Sequence, residues 1–262
     1  MIGDGFTTHR WGGTESRVFQ ALPESATASV LVLHEVWGFN RFVEEACRRL
    51  CELGYAAIAP LLYSEQSDLF DPETIRSAMD VVWELSLEER YDRSALLSAT
   101  RRKGASEKVT RLLDKLYDEE FRASMVRSIR WLAESVASEG RSLGAIGFSM
   151  GGGLALRLAA QSRLLQACVV FSAEPPGLDA IRMISSPVLA FYGTDDAFMT
   201  SAVPRFVRES IECRTELDLK TYQSAGHEFF DPGNAGYDPR AASDSWDLTI
   251  RFLDRRLRDP HV

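Results

Sequence analysis

Five short, nearly unbroken apolar runs set the frame of this chain. They are Ser29–His34 (SVLVLH), Tyr55–Ala59 (YAAIA), Leu143–Phe148 (LGAIGF), Gln166–Phe171 (QACVVF) and Val188–Tyr192 (VLAFY). A strand without an alternating polar face must be covered on both sides, as in the interior of a parallel sheet. Helical patterns lie between the runs. Asn40 is a candidate N-cap ahead of Val43, Cys47, Leu50 and Cys51 on one helical face, and Gly54 stands at the stop position. Met150–Ala160 reads as a second helix, and Ser245–Leu257 as an amphipathic closing helix with Trp246, Ile250, Leu253 and Leu257 on one side. Glu216–Tyr222 alternates, as an outer strand does. Strands separated by helices predict an α/β fold with a mostly parallel central sheet and helices on both faces.

One region breaks the rhythm. Pro72 to Ser138 contains no convincing strand; Arg76–Leu87 and Glu120–Val136 read as helices, and the charged segment Glu88–Leu116 between them as helical too. We expect a helical insert packed on or beside the sheet within one domain spanning residues 1–262, serving as a lid or as plain decoration.

Charge narrows the partners. Thirty Lys and Arg stand against 38 Asp and Glu, a net charge of -8. That balance argues against nucleic acid or an anionic membrane, because phosphate binding needs a surplus of cations. The contiguous Arg101, Arg102 and Lys103 read as a solvated loop or helix end. No apolar run approaches the ~18 residues of a membrane helix, and Met1–Trp11 lacks the apolar stretch of a signal peptide. A cytoplasmic protein, monomer or homodimer, is expected. Four cysteines form no CxxC and no zinc-type spacing with histidine, so we expect reduced thiols, no metal and no cofactor.

The chemistry concentrates at Gly147-Phe148-Ser149-Met150-Gly151, a G-x-S-x-G box between an apolar run and a helix-forming run. Such a turn from strand to helix exposes the serine hydroxyl at the strand's carboxyl end, and its glycines permit close backbone approach. The helix start supplies amide donors and a positive dipole end for a developing oxyanion. A serine needs a base and an orienting acid. Asp195 and Asp196 follow the strand ending at Tyr192, and His227 follows the strand ending near Tyr222. Loops at the carboxyl ends of parallel strands converge on one crevice. His9 and His261 read as solvated, and His34 as a supporting residue near the site.

The order Ser149, Asp, His227 resembles that of α/β-hydrolases, whose usual G-x-x-D loop favours Asp196 over Asp195. Within that superfamily the sequence resembles the dienelactone hydrolase family over most of its length. The resemblance lies in His34-Glu35-Val36-Trp37-Gly38-Phe39-Asn40, in Gly54-Tyr55 through Ala59-Pro60-Leu61-Leu62-Tyr63, in the serine elbow, in Gly193–Asp196, and in Gly226-His227-Glu228-Phe229-Phe230. It implies Ser149 as nucleophile where many members carry cysteine, oxyanion donors at the Met150 and Val36 amides, and a glutamate, Glu35, near the nucleophile. Dienelactone-cleaving members hold a carboxylate with two arginines; Arg76 corresponds loosely to one, and the other would fall near Asp231, where no arginine occurs. Trp37, Phe39, Phe198, Phe229, Phe230 and Tyr237 neighbour the triad loops and are candidate pocket walls. The expected activity is hydrolysis of small, possibly aromatic carboxylic esters or lactones, with an acyltransferase, a peptidase or a non-catalytic binding protein as the alternatives.

Overall fold

The computed structural model describes residues 3–11, 14–86, 89–90, 92–196 and 202–258. Its centre is an eight-stranded sheet in the order β1-β2-β4-β3-β5-β6-β7-β8. The strands are β1 (Gly3–Trp11), β2 (Thr14–Leu22), β3 (Ala28–Leu33), β4 (Tyr55–Pro60), β5 (Ser142–Phe148), β6 (Leu165–Phe171), β7 (Val188–Gly193) and β8 (Leu217–Tyr222). From β4 to β8 every pairing is parallel, while β2 runs antiparallel to both β1 and β4.

The apolar runs occupy β3 to β7, and the reason is visible in β3. Its six residues are all buried. Val30 and Val32 join the core on one face, and Leu31 and Leu33 the core on the other, the alternation that pleating imposes. One face is covered by α1 (Arg41–Glu52) and α9 (Pro239–Leu253). Asn40 caps α1 as its sequence suggests, accepting from the Val43 amide at 3.1 Å. The closing helix begins earlier than its apolar stripe, at Pro239 behind the N-cap Asp238, because a proline fits the first turn.

The other face carries the insert and α6 (Met150–Gln161). Between β4 and β5 the described residues form α2 (Pro72–Val82), α3 (Arg93–Arg102), α4 (Glu107–Leu116) and α5 (Glu119–Ala137), with no strand among them. Residues 93–116 of the charged segment form α3 and α4, parted at Gly104 and Ala105 and each opened by a side-chain cap, Asp92 or Ser106. Ile75, Leu96, Leu112 and Ile129 of the insert share one apolar core with Leu31 and Leu33 of the sheet. The insert is thus packed onto the sheet. Arg101, Arg102 and Lys103 are exposed at the end of α3. Two further helices, α7 (Leu178–Met183) and α8 (Val203–Cys213), flank β7 in the chain. Among the described residues no helix is long and apolar enough to cross a membrane.

Candidate active site

Strand β5 ends at Phe148, α6 begins at Met150, and Ser149 makes the whole turn between them. Its backbone sits at φ 47° and ψ −113°, a left-handed φ that a non-glycine residue keeps only when its surroundings impose it. Two contacts do so. The Ser149 amide donates to Phe171 O at 2.8 Å. The helix start is also pressed against β3, so closely that a Cβ on Gly151 would lie 2.2 Å from Leu33 O. The glycines of the box are there to let three backbone segments meet.

The serine hydroxyl lies 2.8 Å from His227 Nε2, and His227 Nδ1 lies 2.7 Å from Asp196 Oδ2. An ionised carboxylate only accepts, so Nδ1–H donates to it and Nε2 is left to accept from the hydroxyl. Asp196 is buried at the end of the β7 loop. Asp195 instead is exposed and serves the turn, its amide donating to Ala225 O at 3.0 Å. The backbone of His227 is held by Ser172, which follows β6 at φ 46° and donates its hydroxyl to His227 O at 2.8 Å.

A cavity of about 140 Å³ opens beside Ser149 and His227. Its walls come from both halves of the molecule. Val36, Trp37 and Met150 line it from the strand ends, and Met79, Val82, Trp83 and Tyr117 from the insert. The Trp83 ring stands edge-on to the His227 ring, 5.7 Å between centroids. Arg90 also lies over that indole, its guanidinium carbon 4.9 Å from the ring centroid, with its Nε donating to the Val82 and Leu85 carbonyls. The insert thus roofs the site.

Glu35 also faces the cavity and is almost wholly buried. Burial holds its carboxyl well above the usual carboxylate range, and the neighbouring Glu228 and Asp231 push in the same direction. Its Oε1 has no hydrogen-bond partner among the described residues. Glu228 accepts the Trp37 indole N–H at 2.9 Å. The amides of Val36 and Met150 likewise have no hydrogen-bond partner among the described residues. No three His, Cys, Asp or Glu side chains among those residues are arranged to hold a metal.

Two residues expected at the substrate lie elsewhere. Arg76 is exposed on α2, turned outward because Ile75, Ala78, Met79 and Val82 form the buried stripe of that helix. Phe229 is fully buried on the opposite face of the sheet, among Phe171, Tyr222 and Phe230. Phe198 lies outside the described residues. Of the aromatic candidates, Trp37 lines the cavity; Phe230 and Tyr237 line a separate groove between α1 and α9. The arginines that do reach the cavity are Arg122 of α5 and Arg157 of α6. Arg157 was findable, since it falls on the same helical face as Met150, Gly153 and Leu154. Arg122 and Trp83 were not, because nothing local says which part of the insert lies over Ser149.

The family model described as "Dienelactone hydrolase family" matches residues 17–257. The chain belongs to that family. A putative carboxymethylenebutenolidase of Saccharolobus solfataricus is 34% identical over 93% of this chain and 95% of its own length. The carboxymethylenebutenolidase of Pseudomonas putida is 25% identical over 97% of each. Among solved structures, a putative dienelactone hydrolase from Klebsiella pneumoniae superposes with a TM-score of 0.73 at 23% identity, covering 97% of this chain and 99% of that one. The fold is that of the α/β-hydrolases, and the protein is a hydrolase of the dienelactone hydrolase type.

Proposed function

We propose that this hydrolase cleaves small carboxylic esters or lactones through an acyl-serine intermediate. The observation that carries the reading is the unbroken chain of short contacts from Ser149 Oγ through His227 to Asp196. Ser149 attacks the substrate carbonyl carbon while His227 Nε2 takes the hydroxyl proton. Asp196 keeps the imidazole in the required tautomer and stabilises the imidazolium. The Val36 and Met150 amides receive the developing oxyanion, each worth about 3–4 kcal/mol if typical of such donors. His227 then protonates the leaving oxygen, and in the second half-reaction it takes a proton from the water that releases the acyl group.

Substrate size follows from the cavity. About 140 Å³, walled mainly by Trp37, Met79, Val82, Trp83 and Leu116, suits a compact apolar or aromatic acyl group. The relatives' name, carboxymethylenebutenolidase, denotes action on a butenolide, which is a lactone, and lactones fall within the proposed class. The test is initial-rate hydrolysis of short-chain p-nitrophenyl esters and of a butenolide by wild type and Ser149→Ala, each checked by circular dichroism. Turnover by wild type with a loss of several orders of magnitude in the folded variant supports the reading. Equal activity in both would exclude Ser149 as the nucleophile.

A further inference from the structure

The peptide joining Glu35 to Val36 is gripped from behind. Its carbonyl oxygen accepts two hydrogen bonds, from His34 Nδ1 at 2.7 Å and from the Gly38 amide at 3.1 Å. In a trans peptide the C=O and N–H point in opposite directions. Fixing Glu35 O therefore fixes the direction of the Val36 N–H, which finds no partner among the described residues and belongs to a residue lining the Ser149 cavity.

His34 suits this task. Its ring is buried, 1% exposed, directly after β3. Nε2 receives the Leu62 amide at 3.3 Å. An amide can only donate, so Nε2 must be the acceptor and the ring proton must sit on Nδ1, where it donates to Glu35 O. Burial lowers the ring's pKa to about 4, so the ring stays uncharged at neutral pH. Tyr63 braces the arrangement: its ring packs edge-on to His34 at 5.1 Å, and its hydroxyl donates to Val36 O at 3.3 Å.

We infer that His34 is a positioning residue that aims the Val36 amide at the oxyanion, through the carbonyl of the same peptide. The inference rests on the acyl-serine reading above, since an oxyanion must form for the amide to matter. An oxyanion donor acts in the transition state far more than on bound substrate. Loss of its alignment should lower kcat and leave KM nearly unchanged.

Two polar substitutions separate this role from plain packing. Asn places its amide nitrogen near the position of Nδ1 and keeps a donor to Glu35 O. Gln places its polar end near Nε2, toward Leu62, and gives up that donor. The experiment compares wild type, His34→Asn, His34→Gln and Ser149→Ala for kcat and KM on p-nitrophenyl acetate. Affinity for an alkyl boronic acid, which forms a tetrahedral adduct on a serine, is measured alongside, with melting temperature as the folding control. We expect His34→Gln to lose about 10²-fold in kcat and in boronate affinity, with KM within threefold of wild type. His34→Asn should stay within about fivefold of wild type in all three. Equal kcat in the Asn and Gln variants, or effects confined to KM or melting temperature, would overturn the positioning role while Ser149→Ala remained inactive. Full activity in Ser149→Ala would overturn the underlying reading instead.

Discussion

The sharpest test of how this site is assembled avoids every residue with chemistry of its own. Gly193 closes β7, three residues before Asp196. A methyl group there would lie 2.1 Å from Ala225 O and 2.6 Å from Gly226 O. Ordinary contact begins near 3.4 Å, so the two loops must part by about 1.3 Å. The obstructing atoms are backbone, and no rotamer change can relieve them. The parting falls between the loop that carries Asp196 and the loop that carries His227, whose contact of 2.7 Å would open to about 4 Å and cease to be a hydrogen bond. Misplacement of a catalytic group by about 1 Å costs roughly 10²-fold in rate, and overpacking of this kind costs about 1–3 kcal/mol in stability. Gly193→Ala should therefore lose about 10²-fold in kcat and melt several degrees lower. Gly226, one residue before His227, is the control: a Cβ there meets nothing within 4 Å, and its φ is not positive. Gly226→Ala should keep near-wild-type kcat. Steady-state ester hydrolysis with scanning calorimetry on both variants settles the matter. A fully active, equally stable Gly193→Ala, or a Gly226→Ala just as damaged, would refute the steric argument.

The orienting acid and the buried glutamate make separable predictions. Asp196→Asn keeps the shape but lets the imidazole adopt the wrong tautomer; kcat should fall by about 10⁴-fold, as in triads of this type, with little change in melting temperature, read by the same ester assay. Glu35 is held above the usual carboxylate range by burial, so the folded protein keeps a proton that the unfolded chain releases above its ordinary value. Its linkage to folding therefore stabilises at low pH and is lost as pH rises from that value through the raised folded one. Urea melts at pH 5 and pH 8 should show wild type losing stability relative to Glu35→Gln on going to the higher pH. A difference of opposite sign would show that Glu35 is ionised in the folded protein.

The sequence announces the sheet interior and the chemical triplet for one shared reason. Strands covered on both faces must be apolar throughout, and an elbow serine needs glycines around it, so β3 to β7 and Ser149 are written in composition alone. The N-terminal hairpin of β1 and β2 is not. Its strands lie at the sheet edge, β1 carries Gly3 and Gly5, and polar residues such as Thr7, Thr8 and Arg10 break the apolar pattern that marks an interior strand. The insert's helices are legible, but which of their residues lie over Ser149 is not: Arg76 rests on a loose correspondence with the family's arginine and is exposed on α2, while Trp83 and Arg122 line the cavity with no local signal to mark them. Aromatic residues beside the triad loops misled in the same way. Phe229 is adjacent to Glu228 in sequence, yet it joins the core on the far face with residues of α1 and α9 while Glu228 lines the cavity, because the chain turns sharply over residues 227–230.

The proposed reacting groups hang from backbone segments locked together by close approach: β3 against the start of α6 at Gly151, and β7 against the histidine loop at Gly193. None of those contacts involves the insert. The cavity's roof, by contrast, is made by the insert, through Met79, Val82, Trp83, Leu116, Tyr117 and Arg122. Substitutions in the roof should therefore reshape what fits over Ser149 without loosening the proposed triad, whereas a single methyl at the sheet's carboxyl edge should disturb catalysis on every substrate alike. Chemistry is fixed by the sheet, where tolerance is a few tenths of an ångström, and selectivity is left to the helices laid over it.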